Sequence, residues 1–512
     1  MMSRRLAFLA LIVLASCAGS EKARLAPPDS EVVRRIAEAD ALSRKGCYVT
    51  LKEAFGIYSA LYARPECRDL VAARLVKNSL LLAIREKELG IASLKYMDTA
   101  LAVIKENAAL ESYIPYAEIA GLFWVQGEGA MRDIDERFAW KDTEEKLKSL
   151  DSELKEKAKV DEFSAYMYAT MKCFLSSPYD TREEPAELAA LFPDSLLVTY
   201  KEATCPGEDE ELLTLILAQE PRFYEAAYDL GKLSLSRGNL LQAEGHFLQM
   251  HRGIPESAQA TILLASIAFA LEEVERSLEF YEKTLEILPD YRDALLGKAI
   301  CLSSLGKPKE AIAVCEKIIA LGFWLLGESY YWMAWNQHEL KDNAAAEANI
   351  EQAKGRLPTS SQVFTLSGII AVEREDLAGA EKDFQEALRY DPASSDVLYN
   401  LGDLSARKED WPNSGLYFEK AGFAFENEGR TLREKIVQVE GSPLAPERKE
   451  RLVRKKRARL ERLLLSRATA FYNAAAGYFN TGQKYKALEM ATRSVEHPAL
   501  KEKAEELIAG IK

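Results

Sequence analysis

Few residues of this chain are arranged as catalytic groups usually are. His338-Glu339 begins like a zinc protease helix, but no second histidine follows at the required spacing, so two ligands cannot share one helix face. The segment 127–129 reads Gly-Glu-Gly, yet Arg132 stands where a dinucleotide-binding loop needs glycine. Neither a GxSxG turn nor a phosphate-binding loop ending in Gly-Lys-Ser/Thr occurs. The sequence therefore predicts no enzyme, no cofactor and no metal site.

The clearest reactive group is the thiol of Cys17, near the start of the chain. Two arginines at positions 4 and 5 precede an apolar run from Leu6 to Leu14, and Ala15-Ser16-Cys17 follows. A short basic segment before a short apolar core is typical of a secretory signal. The run is shorter than the roughly 20 apolar residues that span a bilayer. The sequence therefore predicts export.

The residues Leu14-Ala15-Ser16-Cys17 resemble a lipobox, the processing site of bacterial lipoproteins. The resemblance implies cleavage before Cys17 and transfer of diacylglycerol to its thiolate, so residues 1–16 are the signal peptide. An aspartate directly after the lipidated cysteine would resemble an inner-membrane retention signal, but this chain has Ala18 at that position. The difference favours the periplasmic face of the outer membrane in a diderm bacterium. Residues 17–30 form a flexible tether. An ordinary signal peptide with an incidental cysteine is the alternative.

Composition restricts the classes of partner. The 512 residues carry a formal net charge of −13, which argues against nucleic acid as a partner and favours solubility. No later stretch is long and apolar enough for a membrane span. We therefore expect a lipid-anchored chain whose partner is a protein.

Small residues recur at intervals of 34 or 35 residues through the second half of the chain, at Ala243, Ser277, Ala311, Ala346, Ala380 and Ser414. Four residues later comes an aromatic or apolar residue, at Phe247, Tyr281, Cys315, Ile350, Phe384 and Phe418. This period resembles that of the tetratricopeptide repeat over residues 206–425 and again over 468–498. The resemblance implies an all-α superhelical solenoid of helical hairpins whose groove binds proteins, usually without catalysis.

Two regions depart from this period. Residues 31–205 are helical by pattern, and they are either degenerate repeats or a distinct helical domain. Residues 206–425 are assigned to the solenoid, 426–467 to a basic helical insertion, and 468–512 to a C-terminal repeat with a capping helix.

Cysteines offer one further constraint: Cys173 and Cys205 are the best candidates for a disulfide, and Cys301 and Cys315 are expected to be buried free thiols.

The insertion is strongly basic between Pro446 and Arg467, and its densest run is Arg454, Lys455, Lys456 and Arg457. One interpretation is an electrostatic contact with anionic lipid headgroups or an acidic protein. The other is a helix that extends the next repeat and lies on the acidic surface of the same chain. We favour the second interpretation.

In the tetratricopeptide family the first helix of each repeat lines the concave groove. By that resemblance, the partner-binding residues proposed for this chain are Tyr228, Phe269, Tyr331, Trp335, Tyr399 and Tyr472. Tyrosine and tryptophan dominate binding hot spots, which favours a peptide or helix as the ligand. Only Lys232 fits the basic pattern that clamps acidic chaperone tails, so such a clamp is disfavoured. The alternative is that neighbouring parts of the chain cover these aromatic side chains.

The leading hypothesis is a lipid-anchored periplasmic scaffold for cell-envelope assembly, similar to tetratricopeptide lipoproteins of pilus, secretin or outer-membrane-protein biogenesis. A second hypothesis is an accessory component of solute uptake, which holds a ligand or docks a substrate-binding protein. A third, catalytic, hypothesis would need a polar cleft within residues 31–205.

Overall fold

The computed structural model describes residues 29–91, 93–125, 140–175, 183–205, 207–322 and 325–511. Over these ranges the regular elements are helices, which confirms the all-α prediction. None of the described helices combines the length and the apolar character that a membrane crossing requires. Cys17 and its signal and tether, except the last residues of the tether, lie outside the described residues. The chain divides into two units, one comprising Met1–Arg85, Ser93–Leu122 and Lys141–Pro206, the other Glu86–Ala92, Phe123–Trp140 and Gly207–Lys512.

Within the described residues, the helices that lie mainly in the first unit are α1 Ser30–Arg44, α2 Tyr48–Tyr62, α3 Arg68–Glu88, α4 Lys95–Glu106, α5 Ile114–Val125, α6 Trp140–Ser149, α7 Asp151–Ala158, α8 Glu162–Leu175, α9 Glu183–Leu191 and α10 Leu196–Thr204. A disulfide joins Cys173 at the end of α8 to Cys205 after α10, with Cα atoms 5.9 Å apart. The pairing expected from the sequence is therefore present. Arg85 is fully buried, and its guanidinium lies 4.3 Å from the centre of the Tyr200 ring.

The second unit contains the repeats: α11 Glu210–Gln219, α12 Tyr224–Ser236, α13 Leu240–Gly253, α14 Ala258–Ala270, α15 Val274–Ile287, α16 Arg292–Ser304, α17 Pro308–Leu321, α18 Leu326–Glu339, α19 Asn343–Arg356, α20 Ser361–Glu373, α21 Leu377–Tyr390, α22 Ser395–Arg407, α23 Trp411–Glu440, α24 Pro446–Asn480, α25 Lys484–Ser494 and α26 Lys501–Ile511. From α12 onward, consecutive helices pair as hairpins in the register of the 34-residue period. Cys301 and Cys315 are buried free thiols on α16 and α17, as expected.

Close contact between the two helices of a repeat depends on glycine. A Cβ atom added to Gly231 would lie 2.6 Å from the ring of Phe247, and one added to Gly368 would lie 2.6 Å from the ring of Phe384. In both repeats the aromatic residue of the second helix rests on the glycine of the first. The small and aromatic positions of the sequence period are therefore the packing interface of each hairpin.

The turn inside each repeat recurs with the same period of 34 or 35 residues. A left-handed residue with φ between 58° and 76° recurs there, at Gly238, Glu272, Gly306, Lys341, Glu375 and Glu409. In the later repeats an aspartate then caps the second helix, and the side chain of Asp376 accepts a hydrogen bond from the amide of Gly379 at 2.9 Å. Such caps satisfy amide groups that the first turn of a helix leaves unpaired.

The expected boundaries of the basic insertion, 426 and 467, are wrong as structural boundaries because both fall inside unbroken helices. Helix α23 continues the second helix of its repeat to Glu440, and α24 runs from Pro446 into the final repeat. The turn between them, at residues 441–445, is the tip of one long antiparallel hairpin. The helices continue because apolar residues such as Ile436 and Leu452 keep the packing face buried beyond the repeat.

Glycines spaced seven residues apart let the two long helices approach. A Cβ atom added to Gly477 would lie 2.7 Å from the backbone nitrogen of Gly415, and one added to Gly422 would lie 2.5 Å from the ring of Phe471. Gly429 is the third member, with the side chain of Leu460 beyond it. A heptad spacing keeps such a stripe on one face of an antiparallel partner. The hairpin comprising α23 and α24 is called the long hairpin below.

Candidate functional site

The predicted groove residues lie on the first helices of their repeats, and their surroundings differ. Phe269 is 38% exposed at the end of α14, whereas Tyr331 is only 9% exposed and belongs to the core of its repeat. Tyr228 is half-buried, and its ring centroid lies 5.8 Å from that of Phe247. Burial raises the pKa of both Tyr228 and Tyr331 to about 12, so both phenols are neutral hydrogen-bonding groups at physiological pH.

Helix α18 carries the densest aromatic cluster of the groove. The ring of Tyr331 lies 5.3 Å from that of Trp332 and 6.5 Å from that of Trp335, and the two indole rings are 6.3 Å apart. Tyr331 contributes packing, while Trp335 is half-buried and retains surface for a ligand. These distances are typical of aromatic pairs that stabilise one another. The cluster therefore holds Trp335 in a defined orientation.

Two other predicted tyrosines lie near the base of the long hairpin. The ring of Tyr399 is 5.1 Å from that of Phe418, and the side-chain amide of Asn473 donates a hydrogen bond to its hydroxyl at 3.3 Å. Tyr472, next to that asparagine, is half-buried. Both tyrosines are thus tied to helices α23 and α24, and less of their surface is open to a ligand than the sequence pattern indicates.

Lys232, the basic residue at an inward position of the first repeat, is already paired. Its ammonium lies 2.9 Å from the carboxylate of Glu208 and 2.9 Å from that of Asp229. Burial opposes its charge, but these two carboxylates raise the pKa of Lys232 above its ordinary value. A clamp for an acidic peptide needs free basic groups, so this arrangement agrees with the expectation that such a clamp is disfavoured.

The four residues of the predicted basic patch divide into two groups. Lys456 is buried, and its ammonium lies 3.4 Å from the carboxylate of Glu272, while Lys455 donates a hydrogen bond to the backbone carbonyl of Glu272 at 3.2 Å. Arg457 pairs with Glu440 of the same hairpin at 2.8 Å, and Arg454 is exposed. Half of the patch thus contacts the repeats of the same chain.

Glu244 and Glu273, on the first two repeats, receive the strongest of these contacts. The guanidinium of Arg448 donates to Glu244 at 2.7 and 2.9 Å and to Glu273 at 2.6 and 3.0 Å. Arg451 adds a bond to Glu273 at 3.0 Å, and Arg276 pairs with both carboxylates. Paired fork geometry of this kind is the strongest form of the arginine–carboxylate bond. The tip of the long hairpin is therefore bound to repeats that precede it by 175 or more residues.

The carboxylates at this contact are almost completely buried. Glu273 is 4% exposed. Burial alone would raise its pKa, but hydrogen bonds from Arg448, Arg276 and Arg451 outweigh that effect and lower the pKa to about 2. Glu273 is therefore charged at all physiological pH values. The three carboxylates Glu244, Glu272 and Glu273 are called the acidic edge below.

Apolar side chains complete the contact. Leu452 and Val453 of α24 belong to the same buried cluster as Phe247 and Leu264 of the first two repeats. The basic residues are recognisable in the sequence, but the glutamates that they contact are not. The glutamates of the acidic edge resemble many other glutamates in the sequence. Glu272 has a left-handed backbone, with φ of 66°, but Glu375 and Glu409 share this feature, so it does not mark the acidic edge.

The first unit contains the polar cleft that a catalytic hypothesis would need, with a volume of about 440 Å³. On its walls, the carboxylate of Asp40 accepts hydrogen bonds from Tyr58 at 2.6 Å and from Arg74 at 2.9 Å. Lys77 pairs with Asp161 at 2.9 Å. These pairs satisfy the charged groups among themselves, as in a structural network, and no reaction follows from their arrangement. In the described parts of the chain, no three His, Cys, Asp or Glu side chains converge as metal ligands do.

Comparisons with known proteins agree with the helical hairpin repeats. The family model described as tetratricopeptide repeat matches residues 225–292 and 365–426. An uncharacterised protein of Methanocaldococcus jannaschii is 46% identical over 39 residues, which are 8% of this chain and 45% of the relative. The match thus spans less than half of that relative's length.

Two solved structures are similar at low identity. A tetratricopeptide repeat protein from Parabacteroides merdae is 16% identical, with a TM-score of 0.37, over 54% of this chain and 98% of the other. PilW, described as a type IV pilus biogenesis factor, is 15% identical, with a TM-score of 0.36, over 38% of this chain and 90% of the other. Scores this low carry no information on function. The matched family model and the repeating hairpins show that the chain contains tetratricopeptide repeats, which supports a scaffold for protein interactions.

Proposed function

We propose that this protein is a lipid-anchored scaffold of the bacterial periplasm, which binds a peptide or helix of a partner protein beside the aromatic cluster of α18. The observation that carries the binding proposal is the ring cluster of Tyr331, Trp332 and Trp335, with centroids 5.3 to 6.5 Å apart. A rigid indole at the centre of an apolar surface is the usual energetic anchor of a protein interface.

The neighbouring first helices extend this surface. Ile369 and Val372 of α20 are partly buried, and Leu340 after α18 is 40% exposed. An apolar strip flanked by charged residues suits an amphipathic helix or an extended peptide, which buries its apolar side chains and leaves its polar ones in water. Since the strip presents no row of free basic groups, the ligand recognised here is apolar or aromatic rather than acidic.

Placement in the cell envelope rests on the first residues of the sequence. Arginines 4 and 5, the apolar run from Leu6 to Leu14 and the lipobox ending at Cys17 support export and lipidation. Multiple acyl chains give firm anchoring, because each buried methylene contributes about 0.8 kcal/mol. The same proposal includes a role in cell-envelope assembly. An accessory role in solute uptake would be favoured by a closed apolar pocket, whereas the cleft of the first unit has charged walls.

The binding proposal is tested by replacing Trp335 with a photo-crosslinking amino acid in the full chain, expressed in its native cell. Irradiation should yield one dominant adduct with a defined protein, identified by mass spectrometry. The matched control carries the same amino acid at Tyr485, which is 83% exposed on α25 outside the groove. Equal adducts from both positions, or none from position 335, would contradict the groove as the binding surface.

The anchoring proposal is tested separately with Cys17→Ser. The variant should move from the membrane fraction to the soluble periplasmic fraction and should lose incorporation of labelled palmitate. Retention in the membrane fraction with unchanged labelling would refute lipidation at Cys17, and it would leave the groove proposal to be judged by crosslinking alone.

A further inference from the structure

We propose that the acidic edge of the first two repeats is a binding site for basic amphipathic helices. In this proposal helix α24 of the same chain is the resident occupant, and a helix of the same kind from a partner protein displaces it. The site is distinct from the aromatic cluster of α18, so the inference does not depend on the ligand proposed for that groove.

The spacing of the basic residues on α24 shows what the site recognises. Arg448, Arg451, Lys455 and Arg459 follow one another at intervals of three or four residues, so they share one face of the helix. All of them contact acidic residues or backbone of the first two repeats. A partner helix must therefore present a basic stripe of about three turns.

Apolar residues on α24 define the second requirement. Leu452 is fully buried and Val453 nearly so, and both pack in a cluster with Phe247, Leu264 and other residues of the first two repeats. They lie beside the basic stripe, and burial of two such side chains stabilises the contact through the hydrophobic effect. The site thus selects an amphipathic helix rather than a merely basic segment.

The buried carboxylates of the acidic edge are more stable when a basic helix contacts them. Glu244 and Glu273 are both nearly buried, and a buried carboxylate without a partner is costly. Arg276 of the repeats pairs with both of them, but one guanidinium cannot neutralise two carboxylates. A second basic group must come from another helix, and Arg448 supplies it in the closed chain.

The outer part of the contact is accessible to water and therefore exchangeable. The side chains of Arg451 and Arg459 are 50% and 53% exposed while paired with Glu273 and Glu272. Exposed pairs of this kind are weak and screened by salt. A competing helix can replace these pairs one at a time, beginning at the rim, before it displaces Arg448.

The proposal is tested in the full chain with a fluorescent synthetic peptide that has the sequence of residues 446–463. The variant R448A/R451A weakens the resident helix and leaves the acidic edge intact. Fluorescence anisotropy should show that this variant binds the peptide at least about tenfold more tightly than the wild type, because apparent affinity rises with the fraction of molecules whose site is free. Adding Glu273→Gln to the variant should remove that gain.

A matched control is R454A/R457A, which removes two charges from the same helix without touching the acidic edge. Arg454 is exposed and Arg457 pairs with Glu440 inside the hairpin, so peptide binding should equal that of the wild type. Circular dichroism verifies folding. If R448A/R451A melts at low temperature, R448K replaces it, because lysine keeps the charge but loses the paired fork bonds to Glu244 and Glu273. A folded loosened variant that binds the peptide no better than the wild type overturns the proposal, as does binding that Glu273→Gln leaves unchanged.

Discussion

The substitution Glu273→Gln tests how the long hairpin is held. Glutamine keeps the size of the side chain and removes its charge. Arg448, Arg276 and Arg451 then lose the carboxylate that they share, while the apolar contact of Leu452 is unchanged. We expect the tip of the hairpin to open more often and the remaining repeats to keep their structure.

The magnitude follows from the pKa of Glu273. A pKa of about 2 in place of the ordinary 4.5 corresponds to about 3 kcal/mol of favourable interaction of the charged form, at 1.36 kcal/mol per pKa unit. Because Glu273 is almost completely buried, solvent screening reduces this value little. Hydrogen exchange of amides in residues 446–460 should therefore accelerate about 150-fold, at a factor of ten per 1.36 kcal/mol, when exchange is governed by opening of the tip.

Hydrogen exchange followed by mass spectrometry separates this local opening from global unfolding. The matched control is Glu440→Gln, because Glu440 pairs with Arg457 where both side chains are largely exposed, and such pairs contribute about 0 to 1 kcal/mol. Unchanged exchange of residues 446–460 in Glu273→Gln would refute the reasoning. An equal acceleration in the control would also refute it, since the burial of Glu273 would then be irrelevant.

The same residue gives a pH dependence with a definite sign. Because folding lowers the pKa of Glu273, its contribution is fully present above pH of about 4.5 and is lost as the pH falls toward 2. We expect no effect between neutral pH and mild acid, and a loss of about 2 of the about 3 kcal/mol by about pH 3. The Glu273→Gln variant should lack this component of acid destabilisation.

Three further outcomes are expected. Gly368→Ala should destabilise the repeats by about 1 to 3 kcal/mol in urea unfolding, because its new Cβ would meet a ring at 2.6 Å, whereas Gly355→Ala, with open space around it, should stabilise by up to about 1 kcal/mol. Replacing Cys173 and Cys205 by serine should lower the unfolding free energy of the first unit by about 3 to 4 kcal/mol, the loop-closure value for a separation of 32 residues, as measured by thermal unfolding with and without reductant. Since burial raises the pKa of Cys315 to about 12, this thiol should react with iodoacetamide near pH 8 only after its repeat unfolds, as mass spectrometry would show.

The groove residues show how far a repeating pattern predicts a binding surface. The period correctly places Tyr228, Phe269 and Trp335 on the first helices of their repeats. It does not distinguish Trp335, which keeps exposed surface, from Tyr331, which is 9% exposed. That difference depends on how neighbouring rings pack in three dimensions, which residue type and spacing do not determine.

The spacing of residue types along the chain suffices to predict the all-α repeat architecture, because each repeat folds mainly through contacts with itself and its neighbours. Small residues such as Ala243 and aromatic residues such as Phe247 act over short separations, so their spacing predicts the hairpins. The residues before Cys17 that resemble a lipobox are also a local sequence pattern. Export and lipidation at Cys17 stay predictions.

The contacts of the basic segment could not be predicted from its own residues. In the sequence, Lys455 and Lys456 belong to a run of basic residues. A lipid surface, an acidic protein or acidic residues of the same chain could each supply the negative charge that pairs with such a run. Glu272 of the acidic edge, which both lysines contact, lies 183 and 184 residues earlier along the chain. Electrostatic pairing depends on distance in space and not on separation in sequence, so the arrangement of the long hairpin against the first two repeats had to be seen in three dimensions.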